Sequence, residues 1–380
     1  MSAKGVLYTY SEINGQPALW NKVYELLEER QKEVESFLKP ILDLPNLRII
    51  LTGAGSSAFI GEASQGIVQK NTGCLTQAIA TTDIVTHPDY FFRKEQPTLL
   101  VSFARSGNSP ESVEAVKLAD LHVDSIYHLV ITCNHQGELA GFCEQRKGTS
   151  YCIVLPEEAH DKSLAMTGSF TSMLLTSLLV SDISNLKKYQ EIVLATATAA
   201  SEILLRQDLF ENIANLPYER AVFLGSGPML GIARECHLKV QELTDGQLVC
   251  KHDSFLGFRH GPRAVVNEQT LVVYLFSQDA HVYKYESDLA KSIAADVRNI
   301  STISLGESSS ENFGNKFTLN YTEAIPVDFE ILPATLIGQL LGYYKALQLG
   351  INPDNPSASG AISRVVQGVV IYDKSETIVS

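Results

Sequence analysis

The sequence lacks the features that mark disulfide-rich, zinc-binding, secreted and membrane proteins. None of the six cysteines forms a C-x-x-C pair, and no His, Cys and Asp cluster has ligand spacing, so we predict reduced thiols, no metal and no cofactor. The longest apolar run, at 173–180, is too short to span a membrane. The first residues contain no apolar core of a signal peptide. We therefore expect a cytoplasmic protein without a membrane partner.

Basic residues are in the minority, with 30 Lys and Arg against 43 Asp and Glu, which gives a formal net charge of −13. Because an acidic surface repels nucleic-acid phosphates, we predict no nucleic-acid partner. A phosphorylated metabolite would need a local cradle of amides and hydroxyls. The composition, 45% hydrophobic and 19% charged, is globular, and 380 residues exceed what one core usually serves. Two domains are expected.

Strands and helices alternate from residue 47 onward, after a segment, 1–46, whose apolar residues recur at helical spacing. The apolar strand at 47–51 leads into a glycine turn and a helix, and further strands are predicted at 98–103 and 127–132. Strands that alternate with helices indicate an α/β fold with a parallel sheet and helices on both faces.

A second copy of this pattern begins at 220–224, which runs into Gly225-Ser226-Gly227 and another helix. Gly53 and Gly225 are 172 positions apart, and the same offset carries the second predicted strand onto 270–276 and the third close to 301–305. We interpret this repeat as a duplicated domain. The predicted segments are 1–46 (N-terminal helices), 47–205 (first domain), 206–350 (second domain) and 351–380 (C-terminal tail).

The first glycine turn, Gly53-Ala54-Gly55-Ser56-Ser57, suits a phosphate. A turn between a strand and a helix presents backbone N–H groups at the positive end of the helix dipole, and Ser56 and Ser57 add hydroxyl donors. The turn also matches the G-x-G-x-x-A fingerprint of dinucleotide sites, but Asp83, the next acidic residue past the following strand, lies farther than such sites require. We predict phosphate binding by Gly55, Ser56 and Ser57 and no nicotinamide cofactor.

A second donor-rich helix start follows the strand at 98–103 and contains Arg105, Ser106, Asn108 and Ser109. Ligands of open α/β sheets bind at such carboxyl ends of strands, so we predict substrate contacts here. Ser109 alone could equally be an ordinary helix cap. Thr167, before the helix at 170–180, could supply further hydroxyls or play only a structural part, and the sequence favours neither.

The charged residues Glu235, Lys239 and Glu242 lie at i, i+4 and i+7 and share one helix face, beside its apolar stripe. Such a row could border a crevice, but spacing alone fits a common surface ion pair better. His260, between Arg259 and Gly261-Pro262, is expected on an exposed turn. Histidine can pass protons near neutral pH, yet a loop histidine without a role fits this pattern better when it is taken alone.

Together these motifs resemble the SIS (sugar isomerase) superfamily, in particular the isomerase half of glucosamine-6-phosphate synthase. The match is closer to the AgaS group, described as tagatose-6-phosphate ketose/aldose isomerase or galactosamine-6-phosphate deaminase. It rests on four segments that span nearly the whole chain: 49–61 (IILTGAGSSAFIG), 106–113 (SGNSPESV), 257–262 (GFRHGP) and 355–369 (NPSASGAISRVVQGV). The resemblance implies two tandem SIS domains.

The resemblance also implies roles for individual residues. Ser57, Ser106 and Ser109 would hold a 6-phosphate. Glu242 would move the proton between C1 and C2 through an enediol or enolamine, Lys239 would stabilise charge on the sugar oxygens, and Glu235 would support that lysine. His260 would assist ring opening from a neighbouring subunit, which implies a homodimer or larger homo-oligomer.

Two departures accompany the resemblance. The stretch from Glu242 to His260 is slightly longer than in the synthase, and the synthase's C-terminal lysine has no match beyond the basic residue Arg364, which we retain as a candidate. The chain also has neither room for a glutaminase domain nor a cysteine after Met1. Amination with glutamine is therefore not expected.

The predicted enzyme is an amino sugar phosphate deaminase and isomerase that converts D-galactosamine 6-phosphate to D-tagatose 6-phosphate and ammonia, and we class it as a hydrolase as well as an isomerase. Plain aldose–ketose isomerisation of a hexose 6-phosphate remains an alternative. A non-catalytic sugar-phosphate sensor is a second alternative, although a sensor would not need Glu242, Lys239 and His260 together. The C4 epimer of the substrate stays open.

Overall fold

The computed structural model describes residues 8–322, 324–366 and 368–372. The beginning of the predicted N-terminal helical segment and the end of the predicted tail lie outside these residues. Within them, no helix is long and apolar enough to cross a membrane. All six cysteines are free thiols, as predicted, and most are buried.

The first half contains a five-stranded parallel sheet in the order β2-β1-β3-β4-β5. Its central strands are buried along their whole length, which explains why their sequences are continuous apolar runs. The strands are β1 (Arg48–Thr52), β2 (Leu75–Ala78), β3 (Thr98–Ala104), β4 (Ile126–Thr132) and β5 (Ser150–Val154).

The second half contains another five-stranded parallel sheet, in the order β10-β9-β8-β6-β7. With β6 matched to β1, this is the same order as in the first sheet. Its strands are β6 (Arg220–Leu224), β7 (Val249–Asp253), β8 (Thr270–Leu275), β9 (Ser301–Leu305) and β10 (Thr318–Leu319). The predicted α/β class, with two sheets flanked by helices, is confirmed.

The helices connect the strands and surround both sheets. They are α1 (Tyr8–Leu42), α2 (Ser56–Thr72), α3 (Thr81–Thr86), α4 (Pro88–Phe91), α5 (Pro110–His122), α6 (Glu138–Gln145), α7 (Gly168–Val180), α8 (Gln190–Leu204), α9 (Gln207–Ala214), α10 (Pro228–Leu243), α11 (Phe255–Phe258), α12 (Ala280–Ala294) and α13 (Ile331–Gln348). Every residue of α7 is buried, so the apolar run seen in the sequence is a core helix.

The internal repeat extends to strand register and backbone conformation. Arg48 of β1 lies opposite Thr98 of β3, and Arg220 of β6 lies opposite Thr270 of β8, the same pairing displaced by the offset found in the sequence. The residue before α2, Gly55, has φ 57° and ψ −130°, and the residue before α10, Gly227, has φ 54° and ψ −125°. A positive φ favours glycine, so both turns need it for the same reason.

The two halves meet where α2 packs against α10. A Cβ on Gly231 of α10 would stand 2.5 Å from the backbone nitrogen of Ala63 of α2, so the helices approach closely only because position 231 is glycine. Glu62 and Arg234 form an ion pair across the same contact, and they are themselves 172 positions apart. This packing brings the second half of α10 to the start of α2.

Candidate active site

The site lies at the switch point of the first sheet, where the connections from β1 and β3 leave in opposite directions. The turn after β1 leads to Ser56 and Ser57, the first residues of α2, and each is only 5% exposed. The Ser57 hydroxyl lies 3.8 Å from the sulfur of Met166, a weak acceptor. Crevices at such switch points are the usual ligand sites of open α/β sheets, which agrees with the predicted position of the phosphate.

The turn after β3 is held from inside by its own side chains. The Ser106 hydroxyl accepts a hydrogen bond from the Asn108 amide at 3.3 Å, and the Asn108 carbonyl oxygen Oδ1 accepts one from the Glu138 amide at 2.9 Å. Ser109 precedes α5, but its hydroxyl makes no capping hydrogen bond. An ordinary serine cap is therefore the wrong interpretation of Ser109. The side chain of Asn108 therefore links this turn to the first residue of α6.

Arg105 is buried, and its guanidinium reaches across to backbone carbonyls. Nη1 donates to the Leu164 oxygen at 2.9 Å and to the Ser163 oxygen at 3.4 Å, while Nη2 donates to the carbonyl of Arg364. Burial lowers the pKa of Arg105, and the carboxylate of Asp161 opposes that effect. Arg105 thus ties the turn after β3 to the loop before α7 and to the tail.

Thr167 does not present a free donor to the crevice. Its amide donates to Asp161 Oδ2 at 2.8 Å, and its hydroxyl donates to Asp161 Oδ1 at 2.9 Å. The amides of Gly168 and Ser169 each donate to the same carboxylate at 3.0 Å, and the Ser169 hydroxyl adds a further hydrogen bond. Asp161 therefore occupies the start of α7 as an internal anion. The structural interpretation of Thr167 agrees with these contacts.

Arg364, a residue of the tail, contacts both Asp161 and Arg105. Its Nε donates to the backbone oxygen of Asp161 at 2.9 Å, and its own carbonyl accepts from Arg105. Farther up the tail, Asp354 accepts the amide of Thr9 at 2.8 Å, which fastens this segment to the beginning of α1. The tail therefore runs beside the crevice, although Arg364 itself is held by the backbone.

The charged row on α10 is buried rather than on the surface. Glu235 is 0% exposed and Lys239 is 1% exposed, so the surface-pair alternative is wrong. The Lys239 ammonium lies 2.5 Å from Glu242 Oε2 and 3.4 Å from Glu235 Oε1. Glu242 is the member that reaches solvent, with 24% of its side chain exposed.

The electrostatics of the row follow from its burial. Burial raises the pKa of Glu235 to about 7, Lys239 opposes the rise, and the carboxylate of Glu242 adds to it. Burial alone would lower the pKa of Lys239, but the carboxylates of Glu235 and Glu242 outweigh it and raise this pKa. The lysine therefore stays charged between two carboxyl groups.

The row and the two turns form one site. The packing of α2 against α10 brings the turn before α2 to the row. The Ser56 hydroxyl accordingly lowers the pKa of the Glu235 carboxyl, and the charge of Arg105 lowers that of Lys239. An accessible carboxylate beside a buried ammonium can move a proton while the ammonium stabilises negative charge nearby. The described residues contain no group of three His, Cys, Asp or Glu side chains placed to hold a metal.

Among the residues that the structure describes, no hydrogen bond or ion pair joins His260 to this cluster. His260 follows α11 on an exposed turn, and its backbone amide donates a hydrogen bond to the Gly257 oxygen at 3.0 Å. The predicted exposed position is confirmed. Its predicted part in the reaction stays a prediction.

Asp161 is a residue of this site that the sequence motifs do not reveal. It lies six residues before Thr167, outside the spacing of a helix cap, so no local pattern marks it. Only the fold of the loop before α7 brings its carboxylate to the helix start.

The fold and the site agree with the known proteins that the chain resembles. The profile of the SIS domain family matches residues 45–180. A D-galactosamine-6-phosphate deaminase AgaS of Shewanella sp. (strain ANA-3) is 42% identical over 97% of this chain and 92% of its own length. The chain belongs to the AgaS family of SIS-domain enzymes. The predicted family is thereby confirmed.

Two further similar proteins come from Escherichia coli. A D-galactosamine-6-phosphate deaminase AgaS is 38% identical over 96% of this chain and 95% of its own length. The crystal structure of a tagatose-6-phosphate ketose/aldose isomerase superposes with a TM-score of 0.89, at 34% identity and 98% coverage of both chains. The predicted hydrolase class is wrong, because these relatives are named as a deaminase and a ketose/aldose isomerase.

Proposed function

We propose that this AgaS-family enzyme is an amino sugar phosphate deaminase and isomerase that converts D-galactosamine 6-phosphate to D-tagatose 6-phosphate and ammonia. The observation that carries the proposal is the buried Lys239 between Glu235 and Glu242, beside the serine turns of the first half. The full-length relatives named as D-galactosamine-6-phosphate deaminase support the same activity.

The proposed reaction divides the work between the two halves. Ser57, Ser106 and Ser109, at the first switch point of the domain at 47–205, hold the 6-phosphate, and the charge of Arg105 favours an anion there. The domain at 206–350 supplies the acid and base groups. This arrangement fixes the sugar carbons against α10 because the phosphate is bound at the other end of the molecule.

Proton transfer is assigned to Glu242, the accessible carboxylate of the row. It removes the proton at C2 of the open-chain sugar and returns it to C1, through an enolamine. The Lys239 ammonium stabilises the negative charge that develops on the sugar oxygen, and Glu235 keeps this ammonium in place. Water then adds to C2 and the nitrogen leaves as ammonia, which yields the ketose phosphate.

Replacement of Glu242 tests this assignment. Glu242→Gln keeps the shape of the side chain but removes the base, so ammonia release from galactosamine 6-phosphate is expected to fall by about 10²- to 10⁴-fold. Glu29→Gln, an exposed glutamate of α1, is the control for the lost charge. Unchanged ammonia release in Glu242→Gln would refute the role of Glu242.

The choice of substrate and reaction needs its own assay. Ammonia release and ketose formation are measured with galactosamine 6-phosphate and with glucosamine 6-phosphate, which differ only at C4. Faster turnover of the galacto epimer is expected. Ketose formation from a hexose 6-phosphate without any ammonia release from either amino sugar would favour plain isomerisation, and binding without turnover would favour a sensor.

We further propose a homo-oligomer in which His260 of one chain assists ring opening in the site of another. The exposed position of His260, which leaves its side chain accessible to another chain, supports this proposal. Glu242→Gln and His260→Ala chains that are mixed and reassembled should recover about a quarter of wild-type activity, because one site of each mixed dimer is intact. No recovery on mixing would contradict the shared site. A cytoplasmic location is proposed from the free thiols.

A further inference from the structure

The second half contains a counterpart of the crevice that receives the phosphate in the first half. The turn before α10 has the same backbone conformation at Gly227 as the turn before α2 has at Gly55. The residues after β8 begin at Phe276 and Ser277, and the offset of the repeat places Ser277 at the position of Arg105. Both turns that would form an anion site are therefore present at the second switch point.

Glu286 of α12 closes one part of this crevice. It is 0% exposed, and its Oε2 accepts a hydrogen bond from the Ser277 amide at 2.9 Å. Burial raises the pKa of Glu286 to about 7, while the Ser277 amide and the Ser226 hydroxyl act in the opposite direction. The hydrogen bond ties Glu286 to the turn after β8, and the effect of Ser226 on its pKa indicates that the turn before α10 lies nearby.

Glu330, directly before α13, closes the adjoining part. It is also 0% exposed, and its Oε2 accepts a hydrogen bond from the Gln278 amide at 3.2 Å. The remaining oxygen of each carboxyl, Oε1 of Glu286 and of Glu330, is buried without a hydrogen bond of normal geometry among the described residues. Two consecutive backbone amides after β8 therefore donate hydrogen bonds to carboxyl groups of the same chain.

We propose that the second half retains a cradle with the backbone geometry of the phosphate cradle of the first half, and that the carboxyl groups of Glu286 and Glu330 fill it as internal ligands. The inference rests on the proposed function in one respect, because it takes the first crevice to be the phosphate site. Each chain therefore binds a single sugar phosphate.

Removal of the Glu286 carboxyl tests the site directly. In Glu286→Ala the Ser226 hydroxyl and the Ser277 amide face a space the size of a carboxylate, so sodium formate should raise the melting temperature of this variant. With formate at about five times its dissociation constant, the expected rise is about 1 °C beyond that of the wild type at equal ionic strength in sodium chloride. Asp288→Ala, which removes an exposed charge from the same helix, should show no extra rise. An equal response to formate in all three proteins would overturn the proposal.

A second measurement uses the wild type and does not depend on the folding of a variant. Titration calorimetry with tagatose 6-phosphate should give one bound ligand per chain, and two ligands per chain would overturn the internal occupancy. An absence of binding would instead contradict the proposed function, and the formate response would still decide the present proposal.

Discussion

The buried carboxyl of Glu235 leads to a prediction about how stability depends on pH. Its pKa in the folded chain is about 7, against an ordinary value of 4.5. A folded pKa above the unfolded one means that the folded chain favours the protonated form. Stability is therefore lost as the pH rises above about 4.5, and the loss is complete once the pH exceeds about 7.

The size of the effect follows from the gap between these two pKa values, which corresponds to about 3 kcal/mol. Glu235→Gln resembles the protonated form and does not titrate. The difference in free energy of unfolding between Glu235→Gln and the wild type should therefore change by roughly 2.5 kcal/mol in favour of the variant as the pH rises from about 5 to about 8.5. The same variant should lose activity, because Lys239 then has one carboxylate partner fewer.

Urea unfolding of both proteins across this pH range measures the difference. Trp20, the single tryptophan, is fully buried in α1 and provides the fluorescence signal. Glu29→Gln controls for the change in net charge at an exposed position. A stability difference between Glu235→Gln and the wild type that does not change with pH would refute the reasoning.

Three further predictions concern the phosphate turn, the helix contact and the internal anion. Ser57→Ala should raise KM for the sugar phosphate about 10-fold with a smaller change in kcat, because a hydrogen bond to a charged group is lost; equal loss in both constants would contradict phosphate binding. Gly231→Ala should lower the free energy of unfolding, measured in urea, by about 1–3 kcal/mol because the new methyl group clashes with Ala63. Gly66→Ala is the control, since Gly66 is a helical glycine with open space around it, and this change should raise the free energy of unfolding by about 0.4–1 kcal/mol. Similar effects of both changes would contradict the close contact. Asp161→Asn should lower the free energy of unfolding by about 3 kcal/mol, because buried donors at the start of α7 lose their charged acceptor. A melting temperature equal to that of the wild type would contradict this prediction.

The central strands and the two glycine turns could be predicted from the sequence because buried parallel strands are continuous apolar runs. The edge strands β2 and β10 could not be predicted, because neither carries an apolar pattern. Two of the four residues of β2 are exposed, and β10 has only two residues. The spacing of Glu235 and Lys239 placed them on one helix face, but burial of that face depends on packing between the halves. Asp161 escaped prediction for the same reason, since its partners are brought to it by tertiary structure.

The ion pair between Glu62 and Arg234 joins two equivalent positions of the repeat, so it lies where a two-fold axis between the halves would pass. In a dimer of two identical SIS domains, a residue on that axis would face its own copy, and two glutamates or two arginines would repel each other. Fusion of both copies into one gene lets the two positions evolve separately. The two positions can then carry opposite charges and attract each other. A dimer of identical domains cannot have this ion pair, because both of its domains carry the same residue at that position.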